Sequence, residues 1–226
     1  MNSEKNLKGK SAEKKKKQSN LFYDFVKLTG APVAFVWMRP KIYRLGGPVP
    51  KGAVLVCANH GDFVDPITVH LALPTRRLNC LATKDLYTSK LRTKFFNACH
   101  CIMVDKQNFS ISSFHTVVDR LKDGKAVVIF PEGQVNRQEE NGLLTFKSGA
   151  ILMAHKSGAP LLPIYIAKCE KWYHRRHIMI GAPIDIKTLV GEVPTMEEVN
   201  RASEYLRERE IELRTYYETN ILKNKD

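Results

Sequence analysis

The chain has no uninterrupted apolar run of about eighteen residues or more, the length a bilayer-spanning helix requires. Its first twenty or so residues are polar and charged, without the apolar centre of a secretory leader. Cysteine is scarce. The five residues contain no C-x-x-C pair, and their odd number fits free thiols in a reducing compartment better than a disulfide framework. Cys99-His100-Cys101 has no second ligand pair at metal-site spacing, and strand alternation would turn His100 away from both cysteines. No G-x-S-x-G elbow is present to supply a serine nucleophile. Acidic residues are few: 23 Asp and Glu stand against 36 Lys and Arg, a formal net charge of +13. Such an excess points to an anionic partner: a phospholipid surface, an acidic carrier protein, phosphorylated substrates or nucleic acid.

What is present is organised around Asn59-His60-Gly61-Asp62-Phe63-Val64-Asp65-Pro66. An apolar, β-branched run over 53–58 precedes it and predicts a buried strand; a short apolar segment over 67–73, ended by Pro74, follows. His60 therefore stands at the carboxyl end of a strand, the edge where α/β folds carry their chemistry. Residues five apart on a straight helix point about 140° away from each other, so His60 and Asp65 meet only if the chain turns between them. Gly61 offers the freedom for that turn. A neutral imidazole oriented by a carboxylate is a general base for a substrate hydroxyl. Asp65-Pro66 is also a good helix start, with Asp as cap, and on that reading His60 is an ordinary half-buried histidine.

Downstream, residues 126–130 predict a second strand that runs into Phe130-Pro131-Glu132-Gly133. Asn-His-x-x-x-x-Asp followed some seventy residues later by Phe-Pro-Glu-Gly resembles the glycerolipid acyltransferases of the 1-acylglycerol-3-phosphate acyltransferase (lysophosphatidate acyltransferase) type. Cys101-Ile102-Met103-Val104-Asp105-Lys106 is similar to that family's second block, and Ala159-Pro160-Leu161-Leu162-Pro163-Ile164 to its fourth. Phe146-Lys147-Ser148-Gly149-Ala150 matches a helix start common in the family. The resemblance implies His60 as general base, Asp65 as its orienting partner, and Asn59, Lys106, Glu132 and Gly133 as acceptor-binding residues. It departs from the pattern twice. Glu132-Gly133-Gln134-Val135-Asn136-Arg137 replaces the usual Glu-Gly-Thr-Arg-Ser, with Arg137 two residues late as the replacement acceptor-binding arginine. Lys106 stands where the second block usually has arginine, and lysine binds phosphate as a point charge, without the bidentate fork.

Taken in order, residues 1–19 predict a disordered basic arm around Lys14-Lys15-Lys16-Lys17. Residues 20–41 predict two short apolar helices broken at Gly30 and Pro32, a hairpin whose Phe, Tyr and Trp beside Lys and Arg suit a membrane interface. Residues 42–226 predict one α/β domain: a mostly parallel central sheet flanked by helices, with strands over 53–58, 78–83, 100–104, 126–130, 161–167 and 177–181. Helices are expected over 86–98, over 110–122 with Ser110 as cap and Gly124 beyond its end, and from Thr195 onward. The Lys171-Trp172-Tyr173-His174-Arg175-Arg176-His177 cluster reads as an exposed turn.

The expected function is acyl transfer from acyl-CoA or acyl carrier protein, a co-substrate rather than a cofactor, to the free hydroxyl of lysophosphatidate. Another lysolipid or glycerol 3-phosphate is the alternative acceptor. The expected partners are the lysophospholipid and an anionic membrane surface, at the cytoplasmic face in a peripheral or monotopic attachment, with no metal and no nucleic acid. A hydrolase using the same pair, and a non-enzymatic basic module on membrane or nucleic acid, are the rival readings; the second leaves His60, Asp65 and Phe130-Pro131-Glu132-Gly133 without a reason.

Overall fold

Four mostly apolar runs have every member buried: β2 (Val54–Ala58), β5 (Ala126–Ile129), β6 (Leu161–Ile166) and β7 (His177–Ile180). Such runs need cover on both faces, and the fold supplies it. The computed structural model of the chain describes residues 20–105, 110–137, 142–169 and 175–223. The expected basic arm over 1–19, Lys106 and most of the 171–177 cluster lie outside them. With β1 (Lys41–Arg44), β3 (Leu78–Thr83) and β4 (Ile102–Val104), the strands form one seven-stranded sheet in the order β1-β7-β6-β2-β5-β3-β4. Five neighbours, from β6 to β4, run parallel; β7 is antiparallel to β6, and β1 pairs parallel with β7.

One face of the sheet presents Leu55, Val127, Leu161 and Met179 to α4 (Ile111–Lys122), α5 (Gly149–Ser157) and α6 (Met196–Tyr217). The other presents Val56, Val128, Leu162 and Ile178, covered by Val69 and Ala72 of α2 (Asp65–Ala72). The helix ends follow from their residues. Ser110 Oγ accepts from Ser113 N at 3.1 Å to cap α4, and Gly124 takes a left-handed φ of 75° just past its end. Thr195 and Glu198 close a capping box on α6.

Four expectations are corrected. The N-terminal hairpin is one helix, α1 (Asn20–Met38), with Pro32 inside it. Pro32 removes a single i→i−4 bond to Leu28, which is exposed, so water can take the freed carbonyl. Contacts with the domain hold α1 along its length: Tyr23 Oη accepts from Leu78 N at 2.8 Å, Lys27 Nζ donates to Arg76 O at 2.5 Å, and Met38 is buried. As one helix α1 is long and apolar enough to cross a bilayer, where the interrupted sequence predicted no such segment. Second, Lys41–Arg44 is an edge strand instead of the hairpin's end. Third, the strand expected from 100 starts at Ile102, because His100 adopts φ 61° and stacks on Tyr23 with ring centroids 4.8 Å apart. Fourth, the helix expected from Leu86 begins at Lys90 (α3, Lys90–Ala98), where Ser89 caps it by accepting from Arg92 N.

Candidate active site

β2 ends at Ala58, and the chain leaves the sheet at its carboxyl edge. Asn59 anchors this exit: its Nδ2 donates to Ile166 O at 3.0 Å and its Oδ1 accepts from Ile166 N at 2.7 Å. The next residues form a turn in which Asp65 N donates to Asp62 O and Asp62 N donates to Asp65 Oδ2 at 2.7 Å. Gly61 keeps a negative φ, so the turn does not depend on left-handed backbone there. It brings Asp65 Oδ2 to 3.0 Å from His60 Nδ1. The helix start expected at Asp65-Pro66 is present, with Pro66 in its first turn, but Asp65 is not its cap. Val64 occupies the cap position without a side-chain bond, and Asp65 is already in the first turn of α2 with its carboxylate folded back on His60.

A carboxylate can only accept, so the bond puts the ring proton on Nδ1 and leaves Nε2 basic. Nε2 has no hydrogen-bond partner among the described residues. The ring lies on Phe130 with centroids 4.2 Å apart, and His60's side chain is 18% exposed against 3% for Asp65. The dyad is thus oriented and dry on one side, open on the other.

Glu132 is buried beneath it, 3% exposed. Its Oε1 accepts from His60 N and its Oε2 from Leu144 N, each at 3.1 Å. Burial pushes its carboxyl above the ordinary glutamate value, while those N–H groups pull the other way. Asn59 and Glu132 therefore hold backbone at Ile166, His60 and Leu144, and Glu132 also accepts from the Asn136 side chain. Asn136 N completes the frame by donating to His60 O at 2.6 Å.

Gly133 follows with φ 70°. A Cβ there would fall 2.6 Å from Lys147 Nζ, so the glycine makes room for an ammonium lying over the turn. Lys147 N also donates to Pro131 O at 2.9 Å. Arg137 is exposed, and its side chain joins no hydrogen bond or ion pair among the described residues. Lys106 falls outside the described residues. Cys57 is fully buried in β2 and its thiol is pushed well up by burial, which removes it as a nucleophile.

Three charged residues at the site went unread in the sequence: Asp62, Lys147 and Arg176. Arg176 Nη2 donates to Asp62 Oδ2 at 2.8 Å, and its Nη1 stands 3.9 Å from Asp65 Oδ1. The signal for Arg176 lay in spacing: ten residues, 167–176, separate β6 from β7. That is too few for a parallel crossover, so β7 had to enter the sheet at the edge where β6 ends.

Residues 41–167 match the family model described as Acyltransferase. The chain is 34% identical over 116 residues to a 1-acyl-sn-glycerol-3-phosphate acyltransferase of Bacillus subtilis, covering 51% of this chain and 56% of that protein. It is 31% identical over 124 residues to a probable 1-acyl-sn-glycerol-3-phosphate acyltransferase of Mycoplasma pneumoniae, covering 52% of this chain and 46% of that one. A protein named Taffazin from Dictyostelium discoideum is 29% identical over 195 residues, 78% of this chain and 66% of its own. The chain spans about half the length of the first two relatives. The crystal structure of the 1-acyl-sn-glycerophosphate (LPA) acyltransferase PlsC from Thermotoga maritima shares the fold, with a TM-score of 0.61 at 21% identity over 84% of this chain and 78% of its own. With more than half of its residues inside the family model and the His60–Asp65 pair at the open edge of that fold, the chain belongs to the acyltransferase family.

Proposed function

We propose that the protein transfers a fatty acyl group from a thioester donor, acyl-CoA or acyl carrier protein, to the free hydroxyl of lysophosphatidate, giving phosphatidate. The observation that carries this reading is the 3.0 Å bond from Asp65 to His60 Nδ1, which leaves Nε2 basic and open. Nε2 takes the hydroxyl proton, and the oxygen attacks the thioester carbonyl. The tetrahedral intermediate collapses with loss of the thiolate, which takes the proton back from His60. The thioester itself carries the activation, so no resident cofactor enters. Gly133, Lys106 and Arg137 are assigned to the acceptor's anionic head, with Lys147 as a further cation over the Gly133 turn. Asn59 and Glu132 act behind the site by holding His60's backbone.

Membrane attachment is part of the proposal. The outward face of α1 exposes Leu21, Phe25, Leu28, Val33, Val36 and Trp37, while Tyr23 and Met38 seat the helix on the domain. Seated this way α1 lies in the plane of the cytoplasmic leaflet and does not cross it.

Gln134-Val135-Asn136 in place of the usual Thr-Arg-Ser favours a second reading, in which another lysolipid or glycerol 3-phosphate is the better acceptor. A panel of acceptors with one labelled thioester, read by product mass, decides between them. The expected result is transfer to lysophosphatidate that His60→Ala lowers by about 10²–10⁴-fold with unchanged thermal unfolding. Transfer to no acceptor, or a His60→Ala protein as active as its parent, overturns the reading.

A further inference from the structure

Arg176 reaches the dyad from the antiparallel side of the sheet. It is the residue before β7, and its backbone is tied on both sides: its N–H donates to Met38 O at 3.3 Å, and its carbonyl accepts from Lys41 N at 2.8 Å. Its side chain is 11% exposed. The guanidinium lies between two carboxylates of one turn, 2.8 Å from Asp62 Oδ2 and 3.9 Å from Asp65 Oδ1. Asp62 in turn donates its N–H to Asp65 Oδ2, the oxygen that holds His60 Nδ1. The two carboxylates of this turn repel, more weakly where water reaches the half-exposed Asp62, and the guanidinium between them offsets that repulsion. A planar fork spans both carboxylates, whereas an ammonium covers one. Partial burial pushes the Asp62 carboxyl up, but the Arg176 guanidinium and the N–H groups of Phe63 and Val64 outweigh it and hold that carboxyl below its usual value.

We propose that Arg176 is a positioning residue for the His60–Asp65 pair: it holds the Asp62–Asp65 turn closed, and through its backbone it fixes that turn relative to the end of α1. This rests on the dyad being the acyl-transfer base. Arg176 touches neither reacting atom in this role, so its loss acts on turnover and not on acceptor affinity.

The test measures kcat, both KM values and the unfolding midpoint for Arg176→Met, Arg176→Lys, Asp62→Asn and the Asp62→Asn/Arg176→Met double variant, with His60→Ala as control. Arg176→Met is expected to lower kcat about 10–100-fold, the usual cost of losing a partner that orients a functional ligand, with both KM values within about twofold of the parent. Arg176→Lys recovers part of the loss. The double variant is no slower than Arg176→Met alone, because both changes break one path. If Arg176→Met does not fold, Arg176→Lys and Asp62→Asn carry the same comparison. A raised acceptor KM at unchanged kcat makes Arg176 a substrate contact and overturns the inference, as does an unchanged kcat. An active His60→Ala protein sinks the dyad itself; an inactive one beside a fully active Arg176→Met protein sinks only the role of Arg176.

Discussion

Gly133 carries two demands at once. Its φ of 70° favours a residue without Cβ, and the place a Cβ would fill is taken by the end of Lys147. Gly133→Ala is therefore expected to cost about 1–2 kcal/mol in backbone strain alone and to push the Lys147 ammonium off the turn. Acceptor KM should rise with it. The Gly133→Ala/Lys147→Ala double variant relieves the collision and leaves the strain, so its unfolding midpoint should lie above that of Gly133→Ala. Equal midpoints would show that the two residues do not compete for space. Glu132 is the complementary case, a side chain that cannot be lost without orphaning the His60 and Leu144 N–H groups. Glu132→Ala leaves those two donors unpaired, at about 1–3 kcal/mol for each one that stays buried, read by urea unfolding; a loss below 1 kcal/mol refutes that role. The residues legible in the sequence were those that fall in its motifs. For His60 and Asp65 the spacing alone left a helix start as an alternative, and the Phe130-Pro131-Glu132-Gly133 block downstream, through its resemblance to the acyltransferases, decided between them. Arg176 was not legible: it sits 114 residues from Asp62 in a basic cluster whose composition reads as surface. For Asn59 and Glu132 the motif names the residues but not the backbone groups they hold.

Among the elements, β2, β5 and β6 were legible because both of their faces are buried and their apolar runs are unbroken. β1 was not, since a four-residue edge strand with lysine and arginine at its ends has no apolar run to read. The continuity of α1 was lost to the ordinary meaning of Gly30 and Pro32, which tertiary contacts at Tyr23, Lys27 and Met38 override. α6 is legible from its apolar stripe, and Glu210 is a lone charge that the helix buries completely. Neither Glu210 oxygen makes a well-formed hydrogen bond among the described residues. Burial lifts its carboxyl well above the ordinary glutamate value and the negative charge of Glu132 adds to the lift, outweighing the opposite pull of the nearby Asn59 N–H. A group raised on folding supports the fold fully below its unfolded value, near 4.5, and loses that support as pH rises toward the folded value. Glu210→Gln removes the loss. It is expected to match the parent at pH 4 and to exceed it by an amount growing about 1.4 kcal/mol per pH unit above that, until the buried group ionises. Urea midpoints for both proteins from pH 4 to 8 give the slope; a difference that stays flat across that range refutes the assignment.

Across the whole molecule, the apolar helix and the sheet edge that carries His60 are neighbours. Met38 closes α1 and accepts from Arg176 N, and Arg176 reaches Asp62 beside the dyad. On the proposed attachment, a lysolipid leaving a bilayer surface at α1 arrives near His60 without crossing the protein. On the interfacial reading, attachment has two separable parts: the net charge of +13 attracts an anionic leaflet, and the bare face of α1 inserts into it. The electrostatic part is screened when the Debye length falls from about 10 Å at 0.1 M salt to about 3 Å at 1 M. Insertion of apolar side chains survives that change, because salt does not weaken the exclusion of apolar surface from water. Sedimentation with phosphatidylglycerol vesicles is therefore expected to weaken by at least tenfold over this salt range, the loss of roughly two effective basic contacts at about 1 kcal/mol each. A Phe25→Ser/Leu28→Ser/Trp37→Ser variant should bind less at both salt concentrations while keeping the same salt slope, since it removes area and no charge. If the variant binds as the parent does, the contact lies elsewhere than α1; if binding of the parent is indifferent to salt, the positive charge serves an acidic carrier protein and not the leaflet.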